Sequence, residues 1–293
     1  MKYIYSARIM LSATVVATMS VACAPSPGVV ATSPAGESSH ETLNAVLWMQ
    51  QSSEYKASAL QAYRVASLRL DQAIADSSWD AIGHVADAAG TESPRRSGIA
   101  VILDVDETVL DNSPYQARLV EANSAYSRET WSTWVREERA RPIPGAVEFT
   151  QKASEAGVTV FYVTNRAAEL EEATRNNLIS QGFPVSDAED VVLTRGERPE
   201  WSGDKYSRRE FVSERYRVLL LVGDDLNDFV TSDEISTLHR DKLVDRYADA
   251  WGEKWIVLPN PAYGSWERAV ARQAGARSRE AQLRVKSAAL ETR

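Results

Sequence analysis

The spacing of apolar and polar residues along this chain changes near residue 98. Between residues 42 and 76 apolar side chains recur at helical spacing without glycine or proline, which predicts one long helix or two. Beyond residue 98 short apolar runs alternate with amphipathic stretches, as in parallel strands joined by crossover helices. The predicted strands are residues 99–103, 158–163, 191–193, 218–222 and 255–258. We therefore expect an α/β fold with a parallel sheet flanked by helices.

Turn and cap residues mark several helix ends. Pro144 and Gly157 bracket a predicted helix over residues 146–156, and Gly182 ends another over 168–180. Ser77 and Ser78 are candidate caps for a shorter helix before the loop at 90–98. Residues 114–141 mix aromatic and charged side chains and are too few for a globular cap domain. They predict a small helical flap that leaves the neighbouring sheet edge open.

These patterns divide the chain into segments. Residues 24–39 are rich in Pro, Ser, Gly and Ala, a composition that does not offset the entropy of ordering. The expected segments are a signal peptide (1–22), a flexible tether (23–41), an N-terminal helical segment packed on the core (42–97), an α/β core (98–265) that contains the flap (114–141), and a charged helical tail (266–293).

The N-terminus has the features of an export signal. Lys2 and Arg8 precede the apolar residues 9–21, which are too few to span a bilayer comfortably. Cys23 is the only cysteine and follows Ser-Val-Ala, so it resembles a bacterial lipoprotein processing site. Lipid on Cys23 would anchor the protein to a membrane of the bacterial cell envelope. Ser20 stands where leucine is usual, so simple secretion with cleavage near Ala22 or Ala24 is the alternative.

Composition limits the classes of partner. The chain has 293 residues, of which 44% are hydrophobic, enough for a sizeable packed core. The net charge of −8 disfavours binding to a nucleic-acid polymer, which requires a basic surface. A small anionic ligand must therefore be attracted by local cations.

Two predicted strands end in acidic side chains. Asp104 and Asp106 follow the strand at 99–103, and side chains two apart on an extended strand project the same way. Like charges held this close require either a divalent cation or a proton on one carboxyl group. A glycine and further polar residues follow the predicted strands at 158–163 and 218–222 or lie between these strands: Thr164, Asn165, Arg166, Lys205, Gly223, Asp224, Asp225 and Asp228. Because ligands bind at the carboxyl edge of parallel sheets, the acidic pair is a candidate catalytic site.

The order Asp-x-Asp, Thr, Lys, Gly-Asp-x-x-x-Asp resembles the four motifs of the haloacid dehalogenase (HAD) superfamily of phosphohydrolases. The stretches 105–112 and 223–229 are similar to the class C bacterial acid phosphatases, the lipoprotein 5′-nucleotidase family, and the similarity extends from about Leu43 to Trp266. It implies a HAD-like Rossmannoid sheet and metal-dependent hydrolysis of phosphomonoesters, with 5′-nucleotides as the expected substrates, through an aspartyl-phosphate intermediate.

The resemblance also implies roles for the acidic residues. Asp104 would be the nucleophile, and Asp106 the acid/base, which must carry a proton first and so favours mildly acidic pH. Mg²⁺ or another divalent cation would be held by the Asp104 carboxylate, the Asp106 backbone carbonyl and Asp224. Asp225 departs from the Asn or Thr usual in the family. An extra carboxylate there would either strengthen metal binding or raise the pKa of a neighbouring carboxyl group.

Further residues match supporting positions of the family. Thr164 would bind the phosphoryl oxygens, Lys205 would neutralise the nucleophile and the developing charge, and Asp228 would orient Lys205 or a metal-bound water. For Lys205 the alternative is a solvated loop lysine. Asn165 and Arg166 would contact phosphate, although a surface turn that caps the following helix accounts for them equally well.

Two aromatic residues carry the expectation about substrate. Trp131 and Tyr263 match positions that stack a nucleobase in this family, and an aromatic face accepts any base. Packing in the core is the alternative for both rings. The small substrate would then be a nucleoside monophosphate or a related phosphomonoester.

Two other classes of function were compared with the phosphatase. A phosphorylation-dependent receiver domain also gathers Asp, Thr and Lys around Mg²⁺, but the export signal and the second acidic motif disfavour it. The alternative kept is a surface lipoprotein with mainly a ligand-binding role and little turnover. The retention of four acidic positions favours the enzyme.

Overall fold

The computed structural model describes residues 40–82, 98–231, 236–272, 275 and 278–292. The predicted signal peptide, Cys23 and nearly all of the predicted tether lie outside the described residues and remain predictions. The helix expected before residue 90 also falls largely outside them. Ser78 does not cap a helix, because its backbone N–H and its hydroxyl both donate to the Asp76 carboxylate in a turn. Within the described part of the chain, no helix is both long and apolar enough to cross a membrane.

Seven strands form the sheets in the described part of the chain. They are β1 (Gly98–Leu103), β2 (Leu110–Asp111), β3 (Arg141–Pro142), β4 (Thr159–Ala167), β5 (Val192–Arg195), β6 (Tyr216–Gly223) and β7 (Trp255–Val257). Five of them make one parallel sheet in the order β5-β4-β1-β6-β7. From β1 the chain adds β4 and β5 on one side of the sheet, and then β6 and β7 on the other side of β1. The strand order therefore switches direction at β1. Such a switch is where open parallel sheets bind ligands.

Ten helices accompany the strands in the described residues. They are α1 (Leu43–Gln51), α2 (Ser53–Ala75), α3 (Ser113–Glu121), α4 (Arg128–Arg136), α5 (Ala146–Glu155), α6 (Glu171–Ser180), α7 (Tyr206–Ser213), α8 (Thr237–Arg246), α9 (Ser265–Arg272) and α10 (Arg279–Ala288). The central strands are apolar throughout, and Leu219, Leu220 and Leu221 are all buried, so both faces of the sheet are covered. The predicted α/β fold with a helix-flanked parallel sheet is confirmed.

The N-terminal helical stretch is two helices rather than one. Ser52 separates them, and its side chain accepts a hydrogen bond from the Tyr55 backbone N–H at 3.0 Å, which caps α2. The buried positions of α2 recur every three or four residues: Tyr55, Ala59, Tyr63, Ala66, Leu70 and Ala73. They face α5 and the sheet. A side chain at Gly145, just before α5, would come within 3.0 Å of Tyr63, so glycine permits this close approach.

Residues 113–136 form two short helices beside the carboxyl end of β1. Ser127 caps α4 by accepting a hydrogen bond from the Thr130 backbone N–H at 3.1 Å. The rings of Tyr115, Tyr126 and Trp131 pack together, with centroid separations of 5.1 to 6.4 Å. The short antiparallel strands β2 and β3 join the two ends of this region. We refer to α3 and α4 as the flap.

The C-terminal helix α10 has no buried residue and is held by polar contacts. The Arg279 guanidinium donates to the Glu41 carboxylate and to the backbone and side-chain oxygens of Asn123, the latter two at 3.0 Å. Lys286 forms an ion pair with Glu267 at the start of α9. The tail therefore links the first turn of the described chain to the turn between the flap helices.

Truncation of Leu70 tests the packing of α2 on the core. Leu70 is fully buried, whereas Leu68 on the same helix is 58% exposed. Because a buried leucine loses its transfer energy and leaves a cavity, Leu70→Ala should lower the free energy of unfolding by about 2–5 kcal/mol in urea titrations. Leu68→Ala is the matched control and should change it by less than about 0.5 kcal/mol. Equal effects would show that α2 does not pack as described.

Candidate active site

Three acidic side chains converge at the carboxyl edge of the sheet. Asp104 directly follows β1, and its backbone N–H donates to the Val222 carbonyl of β6 at 2.9 Å. Carboxylate oxygens of Asp104, Asp224 and Asp228 lie within 4.8 Å of one another. The structure thus brings together three acidic residues that come from separate segments of the sequence.

Backbone donors fix Asp228 in this cluster. Its Oδ2 accepts hydrogen bonds from the N–H groups of Asp224 and Asp225, at 3.1 and 3.0 Å. A side chain at Gly223 would lie only 2.3 Å from the same oxygen, so the strand can end here only with glycine. The 3₁₀ turn Leu226–Asp228 then returns the carboxylate toward the strand end.

Lys205 lies between two of the carboxylates. Its ammonium group donates to Oδ1 of Asp104 and, at 2.7 Å, to Oδ1 of Asp228. The lysine is 5% exposed, so it is not a solvated loop residue. Burial lowers the pKa of Lys205, but the charges of Asp104 and Asp228 outweigh this effect and raise it. The ammonium group therefore stays charged inside the cluster.

The cluster carries an excess of negative charge. Asp104, Asp224 and Asp228 sum to −3 when ionised, and Lys205 supplies +1, which leaves −2. Burial, followed by the charges of Asp104 and Asp228, raises the pKa of Asp224 well above its ordinary value. A divalent cation would balance this charge and allow the carboxylates to ionise.

The donor set suits a hard cation. The Thr108 hydroxyl lies 3.3 Å from Oδ2 of Asp104 and 3.3 Å from Oδ1 of Asp224, so these two oxygens face a common space. Asn260 donates to the other oxygen of Asp224 at 2.8 Å and orients it. Carboxylate and hydroxyl oxygens are the ligands that Mg²⁺ and Ca²⁺ prefer. The residues present therefore fit a divalent metal, and the family resemblance names the same pair, Asp104 and Asp224.

The side chain of Asp106 lies outside the acidic cluster. Its Oδ1 accepts hydrogen bonds from Arg166 Nε and Nη2, at 3.0 and 2.8 Å, and from Asn112 Nδ2 at 2.9 Å. The resemblance implies a metal contact through the backbone carbonyl of Asp106, and its carboxylate is not among the clustered oxygens. Arg166 is 2% exposed, so its side chain is part of the site and not of a surface turn.

Thr164 and Asn165 occupy opposite sides of the same strand. Thr164 is fully buried, and its hydroxyl accepts a hydrogen bond from the Arg166 backbone N–H at 3.0 Å. Asn165 is exposed and donates to the Gly203 carbonyl at 2.9 Å, while Arg208 donates to its Oδ1 at 2.8 Å. Asn165 thus holds the loop before Lys205 and does not join the acidic cluster.

Trp131 and Tyr263, the two aromatic residues predicted to stack a base, each contact a charged residue near the acidic cluster. The Arg166 guanidinium lies 5.6 Å from the Trp131 ring centroid, and Trp131 also packs against Tyr115. The Tyr263 hydroxyl donates to the Glu107 carboxylate. Both rings are partly buried against the core. The packing alternative therefore describes part of each ring, and stacking on a nucleobase stays a prediction.

Asp225 has contacts that neither predicted role anticipated. Its carboxylate accepts hydrogen bonds from the backbone N–H and the hydroxyl of Ser265, and from the Asn227 N–H at 3.0 Å. Burial raises the pKa of Asp225, but these hydrogen bonds outweigh it and lower the pKa. Asp225 thus caps the 3₁₀ turn and fastens the loop that carries Tyr263, and its carboxylate is not among the clustered oxygens.

Several polar residues of the site carried no assigned role in the sequence. Glu107 is fully buried with a left-handed φ of 60°, and its carboxylate also accepts from the Asn112 N–H at 2.9 Å. Asn112 in turn accepts from Trp134 Nε1 at 2.8 Å. Thr108 and Asn260 border the acidic cluster as described above. Polar residues scattered through loops have no periodicity, so only the proximity of residues 107–112 to Asp104 was a signal.

Comparisons with known proteins agree with this geometry. A family model for the HAD superfamily, subfamily IIIB (acid phosphatase), matches residues 7–266. A class C acid phosphatase structure from Bacillus anthracis is 32% identical with a TM-score of 0.72, and covers 87% of this chain and 98% of its own. A structure of the Bacillus anthracis class C acid phosphatase with tungstate bound is 31% identical, with a TM-score of 0.71, and the match covers 87% of this chain and 98% of that one.

A plant relative matches over a shorter region. Acid phosphatase 1 of Solanum lycopersicum is 26% identical over 134 residues, which are 45% of this chain and 52% of that relative. The match thus spans about half the length of the plant protein. The predicted family is confirmed by the extent of the family match and of the structural similarity. On these grounds the chain belongs to the acid phosphatases of subfamily IIIB in the HAD superfamily.

Proposed function

We propose that this protein is a metal-dependent acid phosphatase that hydrolyses phosphomonoesters, with 5′-nucleotides as its substrate class, through an aspartyl-phosphate. One observation carries the proposal: the convergence of Asp104, Asp224 and Asp228 around the charged Lys205 at the switch in strand order. Phosphoryl transfer needs positioning and charge neutralisation above all. The side chains of this cluster would supply the positioning, and Lys205 together with a bound divalent cation would supply the charge neutralisation.

Asp104 is the proposed nucleophile. One of its carboxylate oxygens forms a bond to phosphorus while the ester bond from phosphorus to the leaving oxygen breaks. Water then attacks phosphorus, the bond to Asp104 breaks, and inorganic phosphate leaves with the carboxylate regenerated. Lys205 keeps Asp104 oriented and lowers the cost of bringing a phosphate dianion near it.

Asp106 is the proposed acid/base. In the first half-reaction its proton passes to the departing alkoxide and completes the alcohol product. In the second half-reaction the resulting carboxylate takes a proton from the attacking water. Arg166, paired with Asp106 and lying near Trp131, is the proposed cationic contact of the phosphoryl group. Thr164 is the proposed hydroxyl donor to the phosphoryl oxygens.

A divalent cation, for which we propose Mg²⁺, would supply charge neutralisation of the phosphoryl oxygens when bound. Asp104, Asp224 and the Asp106 backbone carbonyl would hold it. Asp228 would orient Lys205 by accepting a hydrogen bond from its ammonium group. The tungstate bound to the Bacillus anthracis class C phosphatase is a tetrahedral oxyanion like phosphate. This supports an oxyanion site in the present protein.

Localisation forms a separate proposal. The protein would be exported and anchored in the bacterial cell envelope through lipid on Cys23, or else secreted after cleavage near that residue. Cys23→Ser should move the protein from the membrane fraction to the soluble exported fraction, since the anchor is lost. A wild-type protein found wholly in the soluble fraction would indicate secretion without lipid.

Removal of the nucleophile tests the enzymatic proposal. Asp104→Asn keeps the shape of the side chain but removes the attacking group, so phosphate release should fall by at least roughly 10³-fold. A chelator should abolish wild-type activity, and added Mg²⁺ should restore it. Asp71→Asn, on an exposed ion pair with Lys152, is the control and should leave activity unchanged. A wild-type protein that binds phosphate esters without turnover would instead favour the ligand-binding alternative.

Substitution of Trp131 tests the substrate class. If its ring stacks a base, Trp131→Ala should raise KM for nucleoside monophosphates by about 10-fold, because stacking is worth about 1–3 kcal/mol. KM for a small ester without an aromatic group should change little, and Trp131→Phe should recover most of the nucleotide affinity. Equal increases for both substrates would show that Trp131 acts only by packing against Tyr115 and Arg166.

A further inference from the structure

We infer that Asn112 and Trp134 are positioning residues that hold Asp106 so that Oδ2 alone carries the transferred proton. The inference rests on the proposed role of Asp106 as the acid/base. In the described part of the chain, the hydrogen bonds of these two side chains go to Asp106, Leu110 and Arg166 and to each other, and not to the acidic cluster. Asn112 precedes the first flap helix, and Trp134 lies on the second.

The first step concerns the two oxygens of Asp106. Oδ1 accepts three hydrogen bonds, two from Arg166 and one from Asn112, at 2.8 to 3.0 Å. The guanidinium group of arginine only donates, so Oδ1 has no capacity left for a proton of its own. Within the described residues no hydrogen bond to Oδ2 is found, and the side chain is 18% exposed. Oδ2 is therefore the oxygen able to hold a proton and to reach a leaving group.

The second step concerns the orientation of the Asn112 amide. Its Oδ1 accepts from Trp134 Nε1 at 2.8 Å and, at 3.4 Å, from Arg166 Nη2. Its Nδ2 donates to Asp106 and to the Leu110 carbonyl, at 2.9 and 3.3 Å. The indole N–H is a donor only. If the Asn112 amide were flipped, its NH₂ group would face the indole N–H, and its oxygen would face the Asp106 carboxylate. Both contacts would be repulsive. Trp134 thus determines which group Asn112 presents to Asp106.

The third step concerns rigidity. Asn112 is fully buried and Trp134 is 2% exposed, with the Arg118 guanidinium 4.9 Å from the indole ring centroid. Buried polar groups in a complete hydrogen-bond network have few alternative arrangements. The flap helix α4 therefore fixes the direction of the acid, in addition to carrying Trp131. This links substrate recognition and proton transfer through one small element.

The dependence on leaving group tests this inference. A nitrophenolate leaves readily without a proton, whereas a ribose or simple alkyl alkoxide needs one, so misplacing the acid penalises the alkyl ester selectively. For Asn112→Ala, kcat/KM should fall about 10- to 100-fold further for an alkyl phosphate than for 4-nitrophenyl phosphate, because a misdirected acid loses part of the roughly 10²- to 10⁴-fold that general acids contribute. Trp134→Phe removes the N–H donor and keeps a smaller aromatic ring, and it should show a smaller change in the same direction.

Asn177→Ala is the matched control. Asn177 is also a buried asparagine, and its amide bonds both backbone groups of Ala140, away from Asp106. Its substitution should lower stability but change kcat/KM for the two esters by the same factor. An equal loss for both esters in Asn112→Ala, or no loss, would overturn the inference.

Two outcomes separate this inference from the proposed function. If Asn112→Ala does not fold, as judged by its melting transition, Trp134→Phe alone decides: a selective loss on the alkyl ester supports the inference, and parallel kinetics reject it. If the wild-type protein hydrolyses neither ester, the proposed function itself fails. If the wild type is active and Asp104→Asn is inactive but no selectivity appears, only the positioning role fails.

Discussion

Repulsion among carboxylates at one sheet edge is the constraint that organises this structure. Asp104, Asp224 and Asp228 lie within 4.8 Å of one another in a largely buried place, where their charges are poorly screened by water. The fold counters this with the Lys205 ammonium group and with two backbone N–H groups directed at Asp228. The remaining negative charge is what makes the site suited to a cation and, through it, to phosphate.

The location of the site follows from the strand pattern, which the sequence expresses clearly. Apolar runs that end in Asp104 and Gly223 are strands by composition, and parallel strands bring their carboxyl ends together. The position of Lys205 depends on a loop without periodicity, so its burial had to come from the structure. The same holds for Asn165, whose exposed amide supports the loop before Lys205.

Long-range polar contacts set the limit of what the sequence can predict. Asn112 and Trp134 are 22 positions apart, and the Tyr263 hydroxyl reaches Glu107 across 156 positions. Each is an ordinary polar residue in its own neighbourhood, and only the completed fold brings the partners together. Asp225 shows the converse, because a residue that looked like an added ligand in the motif is engaged by Ser265 instead.

The hydrogen bonds of Arg279 with Glu41 and Asn123 have a consequence for how the protein can be shortened. Arg279 lies beyond residue 266, where the family match ends, yet it bridges Glu41 and the turn at Asn123 between the flap helices. A chain trimmed to the family boundaries would keep every acidic residue of the cluster but would lose the contacts of Arg279 with that turn. The acidic cluster and this C-terminal support of the flap thus lie in different stretches of the polypeptide, so the second can be shortened or altered while the residues of the first stay in place.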